Sequence, residues 1–210
     1  MSGTVIKIGA GIAGLTAVST SSYFIRGYYN TERISHRISK RDLTLLSSKD
    51  SEEEWAKRWK EYIKANNPWK LTDYEQNKSN ENKAPDNFKN KCLNSTGLAI
   101  EGQETFAAEF EKYCTKSFKV TDLLSSKEKG ITILQEGDDV NLWNSAWEKY
   151  VKDNEGKNPL TIGNWPSVKR NTKQLPSDYK ERCKIVKGME VRNTRETNYI
   201  SVKNWCTKAQ

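Results

Sequence analysis

Four cysteines are the residues of this chain whose spacing bears most directly on chemistry: Cys92, Cys114, Cys183 and Cys206. Thiols can hold zinc, act as nucleophiles or pair as disulfides. No Cys-x-x-Cys pair occurs, and the single histidine, His36, lies far from the cysteines in sequence. Structural zinc sites draw their ligands from short Cys and His spacings, so we predict no metal site.

A second motif with chemical meaning lies near the N-terminus. Gly9, Gly11 and Gly14 have the G-x-G-x-x-G spacing of a dinucleotide-binding turn, and Glu32 follows near the distance of a ribose-binding acid. This pattern would make the chain a flavin- or NAD-binding oxidoreductase of Rossmann type. However, residues 27–31 are not an apolar strand, and no alternation of strands and helices follows. We therefore predict no cofactor and keep the oxidoreductase as the enzyme alternative.

The same N-terminal segment has the composition of a membrane anchor. Residues 8–25 carry no charge and lie between Lys7 and Arg26. An apolar run of about this length can cross a bilayer, and small residues suit close helix packing in lipid. We predict that residues 1–27 form a membrane anchor or a signal segment, with a buried core helix as the remaining alternative.

Charge and composition exclude some classes of function. The net charge is +8, but basic and acidic residues are interleaved, whereas nucleic-acid-binding modules concentrate basic residues on one face. His36 has no serine and aspartate in a supported catalytic arrangement, and the acidic run 52–54 is explained by the electrostatics of a helix start. We predict no specific nucleic-acid partner, no catalytic residues and no enzymatic activity.

An internal repeat organises the rest of the chain. The equivalent segments are Leu43–Leu46 with Ile131–Leu134, Trp55 with Trp143, Trp59 with Trp147, Tyr62 with Tyr150, and residues 85–92 with 176–183. Repetition indicates that these residues serve a shared architecture. Because the cysteines fall at equivalent places, we expect Cys92–Cys114 and Cys183–Cys206 disulfides, each closing a loop of about 20 residues. Such bonds persist in oxidising surroundings; the alternative is four reduced thiols packed in the core.

Each copy is predicted to be mainly helical. Ser51 and Glu54 form a capping-box signature, and the aromatic residues that follow from Trp55 have the period of an amphipathic helix. Helical spacing favours core packing over a ligand platform for these aromatics. The short apolar runs before each aromatic helix are brief strands or helix ends. Further helices are predicted to open near Pro85 and Pro176 and to cover residues 104–113 and 199–205.

The assembled features resemble a known class of proteins. A Gly- and Ala-rich apolar start is followed by a basic stretch at residues 32–40, the Leu43–Leu46 run, the Trp-x-x-x-Trp-x-x-Tyr helix from Trp55 and a terminal Trp205-Cys206. This combination resembles the large families of uncharacterised paralogous membrane or surface proteins of haemotropic mycoplasmas. The resemblance implies a membrane-anchored or exported protein, displayed at the surface and antigenically variable, with no assigned activity.

We therefore expect a mainly α fold, in which an N-terminal apolar anchor helix precedes two tandem small helical repeats with short β segments and one disulfide each. The expected division is 1–27 anchor or signal, 28–40 basic juxtamembrane stretch, 41–116 repeat 1 and 127–210 repeat 2. The expected partners are the membrane, through the N-terminal segment, and a host protein. We expect the repeats on the extracellular face of the cell membrane. A membrane adaptor on the cytoplasmic face, with reduced cysteines, is the second alternative.

Overall fold

The computed structural model describes residues 31–208 and is mainly helical there, as predicted. Its helices are α1 (Ile34–Lys40), α2 (Glu52–Lys64), α3 (Tyr74–Asn77), α4 (Asp86–Asn94), α5 (Glu104–Tyr113), α6 (Val120–Lys127), α7 (Val140–Asp153), α8 (Trp165–Val168), α9 (Tyr179–Gly188) and α10 (Thr197–Trp205). Two short strands, β1 (Phe118–Lys119) and β2 (Glu190–Val191), pair antiparallel.

The predicted anchor or signal segment, residues 1–27, lies outside the described residues. Between residues 31 and 208, no helix is long and apolar enough to cross a membrane.

Two hydrophobic cores follow the duplication. One is built from buried residues between Ile34 and Cys114, and the other from buried residues between Val120 and Cys206. The predicted aromatic stripe lies inside each core. The rings of Trp59 and Tyr62 stack with their centroids 5.4 Å apart, and those of Trp147 and Tyr150 stack at 5.8 Å. Such ring pairs add to the area that aromatic side chains remove from water, so the stripes are core packing.

Each repeat begins earlier in the chain than the sequence pattern indicated. Ile34 and Ile38 of α1 are buried in the first core, and Val120 and Leu124 of α6, with the same spacing, are buried in the second. The basic stretch predicted at residues 28–40 therefore contributes a core helix from Ile34 onward. Likewise, α6 supplies a core helix before residue 127. Two isoleucines at helical spacing among basic side chains are a weak apolar signal, which is why the sequence pattern missed them.

Side-chain caps start the two long helices. The Ser51 hydroxyl accepts a hydrogen bond from the backbone N–H of Glu54 at 3.3 Å, as the capping-box signature predicted. In the second repeat, the Asp139 carboxylate accepts from the backbone N–H of Asn141 at 2.7 Å. Each cap satisfies an amide group that has no partner inside the helix.

The two short apolar runs are extended segments, each forming one antiparallel bridge to the residue after the second cysteine of its repeat. The bridges join Leu45 to Thr115 and Ile133 to Thr207. The backbone N–H of Leu46 donates to the carbonyl of Cys114 at 2.9 Å, and that of Leu134 donates to the carbonyl of Cys206 at the same distance. These contacts hold the end of each repeat against its beginning.

Both disulfides form within a repeat, in the pairing predicted from the duplication. Cys92 pairs with Cys114, with 5.3 Å between their Cα atoms, and Cys183 pairs with Cys206 at 5.7 Å. All four cysteines are buried. Each bond therefore ties one helix, α4 or α9, to the end of the last helix of its repeat.

A hydrogen-bond network around one tyrosine orders the loop after each long helix. The Tyr62 hydroxyl donates to Oδ1 of Asn67 at 2.6 Å and accepts from the backbone N–H of Trp69 at 3.1 Å. The Tyr150 hydroxyl does the same with Asn158 at 2.8 Å and Leu160 at 3.1 Å. Burial raises the pKa of both tyrosines to about 12, so the hydroxyls stay protonated donors at neutral pH.

We predict that removing either disulfide destabilises its own repeat. The double variants Cys92→Ser/Cys114→Ser and Cys183→Ser/Cys206→Ser should each lower the free energy of unfolding by about 3 kcal/mol, because each bond closes a loop of about 20 residues in the unfolded chain. Urea unfolding followed by tryptophan fluorescence measures the change. An unchanged free energy of unfolding in either double variant would contradict this role.

The tyrosine network gives a second prediction. Tyr62→Phe and Tyr150→Phe should each cost about 1–3 kcal/mol of unfolding free energy, because each leaves a loop N–H without its acceptor. Tyr113→Phe is the matched control, since it removes a hydroxyl from a buried tyrosine outside this network. Equal losses in all three variants, measured by urea unfolding, would show that the network has no special stabilising role.

Candidate functional site

A mixed-charge cleft with a volume of about 540 Å³ lies between the two repeats. Helices α1, α2 and α5 of the first repeat and β2 with the loop after it in the second repeat supply its walls. The charged residues that line it are Arg41, Arg58, Glu61, Glu111, Lys112, Glu190, Arg192 and Glu196. Clefts between structural units are common places for ligands to bind, so the arrangement of these charges decides what this one can do.

Arg58 of α2 is the central group of the cleft. Its side chain is only 4% exposed, which is rare for an arginine and requires compensating partners. The guanidinium donates to Glu61 at 3.0 Å and to the Ser117 hydroxyl at 2.6 Å. It also lies 3.7 Å from a carboxylate oxygen of Glu190 in β2. Arg58 therefore links a helix of the first repeat to a strand of the second.

Glu190 of β2 is the acidic partner of Arg58 in this contact between the repeats. Its carboxylate accepts a hydrogen bond from the Ser117 hydroxyl at 2.5 Å and lies 3.4 Å from the ammonium of Lys57. The Ser117 hydrogen bond, with Lys57 and Arg58 nearby, holds the pKa of Glu190 below its ordinary value. Glu190 therefore stays ionised at neutral pH and bonds the repeats as a carboxylate.

Asp42 provides a second bridge between the repeats. Its carboxylate accepts from the ammonium of Lys127 at 3.1 Å and from the Thr194 hydroxyl at 3.2 Å. The Lys127 hydrogen bond is the largest cause that lowers the pKa of Asp42. The backbone of Asp42 has a φ of 53°, a left-handed conformation in which aspartate is one of the more frequent residues.

The last helix of each repeat forms an ion pair at equivalent positions, but it supplies the acid in repeat 1 and the base in repeat 2. In repeat 1, Glu111 of α5 lies 2.5 Å from Arg37 and 2.6 Å from Arg41. In repeat 2, the corresponding helix carries the base, Lys203, which pairs with Glu128 at 2.5 Å. The scaffold therefore keeps an electrostatic contact here while the sign of each partner differs between the copies.

Every glutamate that lines the cleft is paired with a basic side chain. Glu61, Glu111, Glu190 and Glu196 each have a basic partner within ion-pair distance, so the carboxylates are engaged in pairs. Across residues 31–208, no group of three or more His, Cys, Asp or Glu side chains is placed to hold a metal ion.

The residues that the sequence singled out lie elsewhere. Glu32 is exposed, and its backbone carbonyl accepts a hydrogen bond from the N–H of Ile100 at 2.9 Å. Gly9, Gly11 and Gly14 lie outside the described residues. The single sheet in the described part of the chain is the antiparallel pair β1–β2, which differs from the parallel sheet of a Rossmann domain. His36 is exposed on α1.

Sequence reasoning missed the residues that join the repeats. Arg58 lies within the aromatic helix, one residue before Trp59, where the second copy has Ala146 before Trp147. That difference between the copies was the signal that could have identified it. Glu190 gave no such signal, because it lies in a segment between two repeated blocks.

Comparison of the chain with protein-family models, with curated proteins and with solved structures finds no match in any of the three.

The connection through Arg58 is testable by substitution. Arg58→Met keeps most of the side-chain volume but removes the hydrogen bonds to Glu61 and Ser117, so it should lower the free energy of unfolding by about 2 kcal/mol. Arg182→Met is the matched control, because the Arg182 side chain is 40% exposed, against 4% for Arg58, and its partner Asp178 lies 4.0 Å away. That control should change the free energy by less than about 0.5 kcal/mol. Equal effects of the two substitutions in urea unfolding would refute the role of Arg58.

Proposed function

We propose that this protein is a non-enzymatic interaction protein, exported and anchored at the cell membrane, with its two repeats displayed on the extracellular face. Residues 1–27 are the proposed anchor or signal. The proposed partner is a protein of the host, and the proposed role is interaction with the host or antigenic variation. The resemblance to paralogous surface proteins of haemotropic mycoplasmas agrees with this role.

The observation that carries the proposal is the pair of buried disulfides. The Cys92–Cys114 and Cys183–Cys206 bonds lie at equivalent places in the two cores. Disulfides form and persist outside the reducing cytosol, and small exported domains commonly rely on them because their cores are limited in size. Outside the cytoplasm both disulfides would persist and stabilise the repeats, whereas in a cytoplasmic adaptor the four cysteines would be reduced.

The contrast between shared core and divergent surface supports recognition as the role. Both copies keep the stacked Trp–Tyr pair, the tyrosine–asparagine network and the disulfide. Surface positions differ between them, as where Glu52 in repeat 1 is replaced by the exposed Val140 in repeat 2. A scaffold that stays constant while its surface changes can present new binding surfaces without losing its fold.

The engaged carboxylates of the cleft agree with binding. Catalytic acids and bases are usually held at altered pKa values near the working pH. The hydrogen bond from Ser117, with Lys57 and Arg58 nearby, instead keeps the pKa of Glu190 below its ordinary value, which leaves it an anion at neutral pH. Such a carboxylate holds the two repeats together and is poorly suited to transferring a proton.

Two measurements on intact cells test the proposed location. When cells that contain the full-length protein are treated with a membrane-impermeant protease, we expect cleavage within the exposed, lysine-containing segment 78–83. When thiols are blocked by a permeant alkylating reagent during lysis, all four cysteines should escape alkylation, because they are oxidised in place.

A variant that lacks residues 1–27 is the matched control. It should stay inside the cell, resist the external protease, and carry alkylated cysteines because the cytosol reduces them. Protection of the full-length protein from protease, together with alkylated cysteines, would instead identify it as a membrane adaptor on the cytoplasmic face.

A further inference from the structure

A second pocket, with a volume of about 360 Å³, belongs to repeat 2 alone. It lies between the first turns of α7 and the exposed side of α9. Trp143, Ser177 and Gln135 are among the residues that line it. Three lysines, Lys180, Lys184 and Lys187, and two glutamates, Glu136 and Glu181, complete the lining. Its volume is near the lower end of ligand-binding cavities, a size that suits a single sugar-sized group.

Two of the three ammonium groups bond to backbone carbonyls rather than to carboxylates. Lys180 lies 5.4 Å from the centre of the Trp143 ring and donates to the backbone carbonyl of Glu136 at 3.2 Å. Lys187 donates to the backbone carbonyl of Leu134 at 3.0 Å. Backbone carbonyls carry only partial charge, so both ammonium groups keep most of their positive potential.

The nearest acids are loosely held. Lys184 lies 3.5 Å from Glu136 and 3.8 Å from Glu181, and both carboxylates are more than half exposed. Exposed ion pairs of this kind are weak, so the carboxylates can rotate into solvent when another anion arrives. Burial lowers the pKa of Lys187; Lys184 adds to this effect, and the carboxylates of Glu136 and Asp138 oppose it.

In the first repeat, the lysine equivalent to Lys180 is paired with a carboxylate. There Lys89, the equivalent of Lys180, donates to the Glu52 carboxylate at 2.6 Å. Glu52 is the first residue of α2, and the first residue of α7 is Val140, which is 55% exposed. The second copy therefore has an apolar, exposed side chain where the first copy has the neutralising carboxylate.

The lysines themselves also differ between the copies. The Cys92–Cys183 equivalence aligns Lys184 with Leu93 and Lys187 with Thr96. Around this cavity repeat 2 has two lysines that repeat 1 lacks and no counterpart of the Glu52 carboxylate, but it also has Glu136 and Glu181 where repeat 1 has Ser48 and Asn90. The lysines therefore outnumber the carboxylates by one in the pocket of repeat 2, whereas Lys89 and Glu52 balance each other in repeat 1. Leu93 packs against the first core, whereas Lys184 at the equivalent place is exposed.

We propose that this pocket binds a sulfate or phosphate ester carried on a sugar-sized group. The three ammonium groups supply charged donors to an oxyanion, and such charge-assisted hydrogen bonds are about twice as strong as neutral ones. The exposed carboxylates of Glu136 and Glu181 turn towards solvent when the anion enters. The site lies apart from the cleft between the repeats and does not depend on where in the cell the protein is found.

Calorimetric titration of the full-length protein in a low-salt chloride buffer tests the site. The probes are a sulfated heparin disaccharide, the same disaccharide after desulfation, and inorganic phosphate. We expect the sulfated disaccharide to bind and the desulfated one to fail. Tighter binding of the sulfated sugar than of phosphate assigns a glycan ester as the ligand, whereas equal binding assigns the free anion; both results support the anion site.

Two variants and one control separate the pocket from general basicity. Lys180→Gln/Lys187→Gln should weaken binding about tenfold or more, which corresponds to loss of at least one charged hydrogen bond. Val140→Glu should weaken it similarly by placing a carboxylate where Glu52 stands in repeat 1, and glutamate is favourable at a helix start. Lys157→Gln/Lys173→Gln removes the same charge from exposed positions of repeat 2 outside the pocket, and should leave binding unchanged.

Unfolding midpoints of the variants confirm that each is folded before its titration is interpreted. The proposal is overturned if neither the sulfated disaccharide nor phosphate binds. It is equally overturned if the control substitutions weaken binding as much as the pocket substitutions do, because the protein would then be attracting anions through its overall charge.

Discussion

Closure of each repeat by a buried disulfide is the constraint on which the rest of the structure depends. Cys114 and Cys206 follow directly after the last helix of their repeats, and their carbonyls accept hydrogen bonds from the extended runs near the start. Each bond therefore joins an inner helix, the last helix and the beginning of the repeat at one point. The aromatic core of each repeat, which includes the tryptophans of its long helix, packs against these elements. Small domains bury a smaller fraction of their surface than large ones, and disulfides commonly supplement their stability.

The sequence predicted the parts of this arrangement that come from repetition and period. The Trp and Tyr stripe, the Ser51 cap and the pairing of the cysteines all follow from spacing, because helices and loops of fixed length impose it. It failed where a buried side chain lacks such a pattern. Ile34 and Ile38 lie among basic residues, and Arg58 is buried although its type belongs at the surface. Only tertiary partners, Ser117 and Glu190, explain the burial of that arginine.

Because the unit is duplicated, equivalent residues of the two repeats can be compared with each other. Features kept in both copies, such as the hydroxyls of Tyr62 and Tyr150 bound to a loop asparagine, belong to the scaffold. Features that differ at the surface, such as Glu52 against Val140, are free to serve recognition. Because the core is fixed by the shared set, the differing set can change sign and shape at little cost in stability. This separation is the physical basis of the binding role proposed for the protein.

Peptide mapping of the purified, unreduced full-length protein, with free thiols blocked at lysis, tests the central claim most directly. Within-repeat closure predicts two disulfide-linked peptide pairs, one that joins Cys92 to Cys114 and one that joins Cys183 to Cys206. Blocked free thiols at these four positions, or a bond that joins a cysteine of one repeat to a cysteine of the other, would contradict the account.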